Sequence, residues 1–235
     1  MSNGNALVAA DFLAGFSMTG VKQQLVLIYM ILGTVIVSMF VPIDWQTQAK
    51  VLRDCIVMAW VVGVVNFAYL SGGLNRLLGI RPREPLGLLG ILFSPLLHRN
   101  AGHLIANTLP FAILGWLVLL QGIENFYALS FAILLVSGIG TWVFGRSAIH
   151  LGASGLIFGY LGYLIARGYL EVTLMTIGLA FVVMLLYGDQ FWTMIPDSDD
   201  TTLSWEGHMF GFLGGVLAAS SPEFLAQINL LLANL

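Results

Sequence analysis

Seven long apolar stretches, each with at most one charged residue, constrain the fold of this chain more than any other feature. A helix needs about 20 apolar residues to cross roughly 30 Å of hydrocarbon, and each stretch comes close to that length. They cover residues 25–43, 55–72, 104–120, 126–144, 148–166, 172–188 and 203–220. The sequence therefore predicts an all-α, polytopic membrane helical bundle whose surroundings are the lipid bilayer.

The composition excludes several other classes of protein. Hydrophobic residues make up 58% of the 235 residues and charged residues 9%, which is too apolar for a water-soluble domain of this size. Nine Lys and Arg residues stand against twelve Asp and Glu residues with no basic run, so we expect no nucleic-acid partner. The single cysteine, Cys55, excludes an intrachain disulfide framework and a cysteine-based zinc cluster.

The connecting segments leave the membrane orientation open. Segment 73–102 is basic around an apolar core at 86–97, which is too short to cross and should lie in the interface or dip partway in. Loop 189–202 carries four aspartates and no basic residue, which is typical of the non-cytoplasmic side. Seven spans would place both segments on one side, so the charge rule gives conflicting answers. No repeat or linker divides the sequence.

Three polar residues lie at one predicted depth in the membrane. The third, fifth and seventh spans run in the same direction, and they contain Asn107, Ser154 and His208. Each of these residues lies about 20–22 Å, at 1.5 Å per residue, before the polar residue that ends its helix. His103 precedes Asn107 by one turn on the same face. Because polar groups inside a membrane are costly, we interpret this level as a functional site.

Glycine rows make direct contact between two of these helices feasible. Gly155 is followed by another glycine four residues later, and Gly211 is separated from Gly215 by the same interval. Such rows let two helix backbones approach closely. A serine hydroxyl must come within roughly 3 Å of an imidazole nitrogen for proton transfer. The glycine pattern therefore favours a serine and a histidine that work together.

Three motifs occur in the chain in a fixed order. They are His98-Arg-Asn-Ala-Gly-His103-Leu-Ile-Ala-Asn107, Gly152-Ala-Ser154-Gly155, and Gly207-His208 followed by Gly211 and Gly215. Together they resemble the motifs of the rhomboid intramembrane serine proteases. The resemblance covers about residues 55–220, the six-helix core of that family, and leaves span 25–43 as one extra N-terminal transmembrane helix. It implies an N-terminal segment 1–54, a catalytic core 55–221 and a C-terminal tail 222–235.

The resemblance also implies the roles of individual residues. Ser154 would be the nucleophile and His208 the general base of a dyad without an acid. His103 and Asn107 would stabilise the oxyanion together with the Ser154 backbone N–H. Phe158 stands where family members often have a tyrosine packed on the catalytic imidazole. The expected supporting residues are Gly152, Gly155, Phe158, Gly211 and Gly215. No cofactor and no metal are expected.

The expected partners are transmembrane protein substrates. A transmembrane helix satisfies its own peptide groups, so cleavage requires local unwinding, which glycine, proline or a position near the interface would ease. We therefore expect single-span proteins to be cut near their outer end. The family's fold implies a multi-pass protein of the plasma or inner membrane whose active site opens to the non-cytoplasmic side and whose C-terminus is cytoplasmic.

Three other interpretations stay open at this point. A catalytically inactive relative would share the fold and bind membrane clients. A channel or transporter would use intramembrane histidines as relays, but it would also be expected to have intramembrane carboxylates and broken helices in paired halves. A metal site on His98, His103 and His208 would require these three side chains to cluster.

Overall fold

The computed structural model describes residues 44–196 and 204–234, and it confirms the predicted all-α polytopic bundle. The predicted extra span 25–43 lies outside the described residues. The helices are α1 Trp45–Ala68, α2 Gly73–Leu78, α3 Gly90–Phe93, α4 Ala101–Leu119, α5 Ile123–Phe144, α6 Ser154–Glu171, α7 Leu174–Tyr187, α8 Trp205–Ser220 and α9 Pro222–Ala233. Six of the described helices, α1 and α4 to α8, form the bundle.

Several of these helices are long and apolar enough to cross a bilayer. In the described part of the chain there are four: α1, α4, α5, and α7 together with the 3-10 turn that extends it to Met194. Helices α8 and α9 reach the required length only as a pair, and they are bent by 99° at their junction. The protein is therefore an integral, multi-pass membrane protein.

Helix α6 is the centre of the bundle. Ten of its 18 residues are buried, and it packs against α4, α5, α7 and α8. Two fully buried tyrosines, Tyr160 and Tyr163, find polar partners in α5. The Tyr160 hydroxyl lies 2.7 Å from the Ser130 hydroxyl, and the Asn125 amide donates to Tyr163 at 3.1 Å. These bonds satisfy polar groups that hydrocarbon cannot, so they fix α6 against α5.

Glycines bring α6 and α8 into backbone contact. A Cβ atom added at Gly211 would lie 2.9 Å from the Gly155 carbonyl carbon, and one added at Gly215 would lie 2.8 Å from the Tyr163 nitrogen. Real Cβ atoms essentially never approach another atom within 3.0 Å. Only glycine therefore allows this contact, in agreement with the close approach expected from the glycine rows.

Two predicted helix starts are wrong. The span predicted at 55–72 begins ten residues earlier, at Trp45, because the Asp44 side chain caps the helix by accepting the Thr47 N–H at 3.3 Å. The span predicted to begin at residue 148 begins at Ser154. His150 instead forms a β-bridge with Ile80, and Gly152 has a φ of +113°, so this part of the chain is a loop. The other described spans start within three residues of their predicted positions; residue 203 lies outside the described ranges.

The basic segment 73–102 folds into short helices. Its apolar core consists of a 3-10 turn, Pro85–Leu88, then α3, then a second turn, Ser94–Leu96. Gly87 and Gly90 pack directly on the backbone around Arg81 and Gly79, where a side chain would collide. The Ser94 carbonyl accepts the Gly152 N–H at 2.9 Å, so this segment holds the turn before α6.

Candidate active site

Ser154 is the first residue of α6, and the turn before it is built around Gly152. The φ of +113° at Gly152 is a conformation that other residues rarely adopt. A Cβ atom there would also lie 2.9 Å from His103 Nε2 and 3.3 Å from Asn107 Nδ2. Glycine at this position therefore makes the turn and leaves room for two polar side chains of α4 beside it. The positive end of the α6 dipole lies at the same place.

His103 presents a proton donor to this turn. The Arg99 backbone N–H donates to His103 Nδ1 at 3.4 Å, so this nitrogen is the acceptor and the proton of the neutral ring is on Nε2. Asn100 caps α4 by accepting the His103 N–H at 2.8 Å, which fixes the start of the helix. The Nε2–H group that faces Gly152 is therefore available to a ligand.

Asn107 presents a second donor. Its side chain is buried, and its Nδ2 atom has no hydrogen-bond partner in the part of the chain that the structure describes. A buried amide without a partner typically costs about 1–3 kcal/mol, so its position beside Gly152 calls for an acceptor. A carbonyl oxygen bound next to Ser154 would supply that acceptor.

His208 lies in the first turns of α8, with its ring flat against Phe158 of α6. The ring centroids are 4.3 Å apart and the planes differ by 13°. Phe158 follows Ser154 by one helical turn on the same face, so the imidazole is held on the face of α6 that carries Ser154. The Nδ1 atom of His208 lies 3.1 Å from both the carbonyl oxygen and the hydroxyl oxygen of Thr193.

Ser154 and His208 are brought to adjoining turns but are not bonded to each other. Within residues 44–196 and 204–234, the hydrogen bonds of the His208 ring go to Thr193, and none joins it to the Ser154 hydroxyl. Gly155 and Gly211 are in contact directly beside them. In substrate-free enzymes such bonds are often long and tighten when the substrate binds.

A cluster of hydrogen bonds around the buried Glu206 carboxylate joins the loop before Ser154 to the start of α8. The fully buried Glu206 carboxylate accepts the Arg146 backbone N–H at 3.0 Å. His150 Nε2 donates to the Arg146 carbonyl at 3.1 Å, and its Nδ1 accepts the Ser204 hydroxyl at 2.7 Å. Burial lowers the pKa of His150, which agrees with a neutral ring in this cluster. The Glu206 carboxylate therefore binds the loop before Ser154 and does not pair with His208.

A small polar cavity lies against Ser154. Its volume is about 30 Å³, and its polar lining comes from Ser94, Ser137, Thr141, His150, Ser154 and Ser204. A buried water needs about 10–15 Å³ of such volume and two to four polar partners. The cavity therefore has room and partners for one or two water molecules beside the serine.

A larger apolar cavity also reaches the site. It has a volume of about 210 Å³ and lies among α1, α4, α5 and α6. Ala153 and Asn107 contribute to its wall, so it reaches the residues next to Ser154. His98 also lines it, with the ring packed edge-on to His103 at a centroid distance of 5.1 Å. Burial, assisted by His103, lowers the pKa of His98 to about 4, which makes the His98 ring neutral near pH 7.

No metal site was found in the described ranges. These residues contain no group of three or more His, Cys, Asp or Glu side chains placed to hold an ion. The side chains that converge on Ser154 are instead proton donors and a ring that can accept a proton. This donor set fits acyl transfer.

Comparison with known proteins places the chain in a family. The sequence model of the Rhomboid domain matches residues 86–221, more than half of the chain. The chain belongs to the rhomboid family. Within this rhomboid chain, the match includes Ser154, His208 and both donors of α4.

Mycobacterial relatives cover most of this rhomboid protein. The uncharacterized proteins Rv1337 of Mycobacterium tuberculosis and Mb1372 of Mycobacterium bovis are each 35% identical to it over 193 residues, which is 78% of this chain and 80% of theirs. The uncharacterized protein ML1171 of Mycobacterium leprae is 36% identical over 155 residues, which is 62% of this chain and 61% of its own. The likeness extends beyond the matched domain.

Sequence reasoning did not identify Thr193 or the Glu206 cluster as parts of this rhomboid site. Thr193 lies in a 3-10 turn, Gly188–Met194, at the start of the segment that the sequence predicts to be an acidic loop. The partner of Glu206, the Arg146 backbone N–H, is not predicted by the sequence either. No sequence motif marks either contact, because each joins residues whose distance in space depends on how a loop folds. A buried carboxylate at the start of a membrane helix was the one available signal.

Proposed function

We propose that this rhomboid protein is an intramembrane serine endopeptidase that works through a Ser154–His208 dyad. The observation that carries the proposal is the convergence of two proton donors, His103 Nε2–H and Asn107 Nδ2–H, on the turn that presents Ser154. Donors in this arrangement stabilise negative charge on a substrate oxygen. The ring of His208, held on Phe158, supplies a base on the same face.

The reaction proceeds through an acyl-enzyme. Ser154 Oγ attacks the carbonyl carbon of the scissile bond while its proton passes to His208 Nε2. The tetrahedral oxyanion accepts hydrogen bonds from His103, Asn107 and the Ser154 backbone N–H. The C–N bond breaks as His208 returns the proton to the leaving amine. Water then adds to the acyl group, giving its proton to His208, and Ser154 is released as the alcohol.

The surroundings of Ser154 support the hydrolytic half of this cycle. Hydrocarbon excludes water, so an intramembrane hydrolase needs a polar space beside its nucleophile. The cavity of about 30 Å³ lined by serine, threonine and histidine side chains provides that space. The Glu206 cluster keeps the loop before Ser154 in position while the acyl group is transferred.

The proposed substrates are single-span membrane proteins cut near their outer end. In support, the N-terminal ends of α4, α6 and α8 meet at one end of the bundle, so the site lies near one membrane surface. A peptide bond near a surface is more easily unwound and wetted than one at the bilayer centre. We propose that this surface is the non-cytoplasmic one.

The alternative is that this protein is catalytically inactive and binds membrane clients. One assay distinguishes this alternative from the proposed endopeptidase. The protein is reconstituted in liposomes with a fluorescently labelled single-span substrate, and cleavage is compared among wild type, Ser154→Ala, His208→Ala and Ser220→Ala. Ser220 is exposed at the end of α8 and serves as the matched serine control.

The expected result is cleavage by wild type and Ser220→Ala, and loss in both dyad variants. Activity that is indifferent to chelators is expected as well, because the donor set needs no ion. Binding of the substrate without cleavage by wild type would establish the inactive alternative. Equal cleavage by all four proteins would refute the dyad.

A further inference from the structure

We propose that Thr193 is a positioning residue that holds His208 in the tautomer required of a base, the task that a carboxylate performs in three-member serine protease sites. The inference rests on the function proposed above and adds a component to it. Two oxygen atoms of Thr193, the carbonyl and the hydroxyl, lie 3.1 Å from His208 Nδ1.

The first of these oxygens determines where the imidazole proton is. The Thr193 carbonyl oxygen can only accept a hydrogen bond, so the Nδ1 atom that faces it must carry the proton. The neutral ring then has its lone pair on Nε2, the nitrogen that must take a proton from Ser154. The opposite tautomer would place two lone pairs against each other at 3.1 Å.

The second oxygen fits the same assignment. The Thr193 hydroxyl donates its only proton to the Gln190 carbonyl at 2.7 Å. Its lone pairs are therefore free to accept, and one of them faces His208 Nδ1. The three contacts form one consistent chain, from the ring N–H to Thr193 and from Thr193 to Gln190.

The contact also matters after proton transfer. When Nε2 takes the serine proton, the ring becomes an imidazolium ion, and hydrogen bonds from a charged donor are stronger than those from a neutral one. Two acceptors on Nδ1 then stabilise the ion that accompanies the tetrahedral intermediate. The nearest carboxylate on α8, Glu206, accepts from Arg146 instead, so Thr193 is the residue placed to do this.

The first test measures the proton directly and does not depend on activity. The chain has four histidines, so the protein labelled with ¹⁵N in the histidine rings gives a simple spectrum in detergent or lipid. Subtracting the spectrum of His208→Ala identifies the His208 signals. We expect a protonated Nδ1 and an unprotonated Nε2 near neutral pH. A ring protonated on Nε2 would overturn the proposal, whatever the enzyme does.

The second test measures the contribution of the hydroxyl. Thr193→Val keeps the shape and the carbonyl but removes the hydroxyl, and Thr193→Ser is the matched control that retains it. We expect kcat to fall about tenfold in the valine variant, as for one lost hydrogen bond to a charged group, with KM unchanged. The serine variant should keep kcat within about twofold of wild type.

The outcomes separate this proposal from the function on which it rests. A wild-type kcat in Thr193→Val, or the same loss in both variants, would overturn the positioning role. A loss expressed in KM would mean that Thr193 acts on substrate binding instead. If wild type cleaves nothing, the proposed function fails, while the ¹⁵N measurement still decides the tautomer. If the valine variant does not fold, the ¹⁵N spectrum of the wild-type protein still tests the proposal.

Discussion

Replacing Gly211 by alanine adds one methyl group where α6 and α8 are in backbone contact, one turn from His208. The new Cβ would lie 2.9 Å from the Gly155 carbonyl carbon, whereas ordinary contact begins at 3.4 Å. The difference is 0.5 Å, and the displacement must exceed it because the Gly155 carbonyl oxygen is closer still. No flexible side chain can move aside, so the helices must separate or slide.

The displacement acts directly on the proposed dyad. Gly155 is the residue directly after Ser154, and Gly211 lies three residues after His208. A misplacement of about 1 Å can cost on the order of 100-fold in rate, and overpacking costs about 1–3 kcal/mol of stability. We therefore expect Gly211→Ala to lower kcat by about 10- to 100-fold. The assay is cleavage of a single-span substrate in liposomes, with thermal unfolding followed in the same preparation.

Two other glycines serve as controls. An added Cβ at Gly178 of α7 meets nothing within 4 Å, so Gly178→Ala should leave activity unchanged and stabilise the helix by up to about 1 kcal/mol. Gly162 packs on the Phe212 backbone in the same seam, about 12 Å further along α6 from Ser154 at 1.5 Å per residue. Full activity in Gly211→Ala, or an equal loss in Gly162→Ala, would refute the argument from local geometry.

Substitutions at three further residues test other parts of the site. Asn107→Ala should lower kcat by about 100-fold without abolishing it, as for one oxyanion donor, and an unchanged rate would contradict that role. Phe158→Tyr should keep its activity, whereas Phe158→Ala should lose several-fold in kcat because about 0.5–1.5 kcal/mol of ring stacking on His208 is lost; equal rates would refute the stacking role. Glu206→Ala should lower the free energy of unfolding by about 1–3 kcal/mol, because it removes the acceptor of the Arg146 backbone N–H, while Glu206→Gln should lower it less; equal losses would contradict this.

Most of the bundle follows from hydropathy and helix length, and the errors occur where local contacts override them. A span predicted from hydropathy begins after the last charged residue. The prediction therefore missed the first turns of α1, which follow the Asp44 cap and contain Lys50, Arg53 and Asp54. It also extended the fifth span back to residue 148, since a loop of mostly apolar residues has the hydropathy of a membrane helix. The φ of Gly152 and the bridge from His150 to Ile80 prevent that helix, and neither is visible in composition.

The candidate site can be predicted from the sequence only where its residues lie in regular helices. Counting residues along parallel spans placed Asn107, Ser154 and His208 at one depth, because the rise per residue of a helix is constant. The partner of His208 could not be found in this way. Thr193 reaches the ring from a 3-10 turn 15 residues earlier, and the folding of that turn has no periodic pattern.

The central claim is that Ser154 is a nucleophile activated by His208, and reaction with a fluorophosphonate tests it most directly. The reagent forms a bond from a serine oxygen to phosphorus and releases fluoride, so peptide mass mapping locates the reactive residue. We expect one adduct, on Ser154, in the reconstituted wild-type protein, and much slower labelling in His208→Ala. A wild-type protein that cleaves its substrate while labelling elsewhere or not at all, or equally fast labelling without His208, would contradict it.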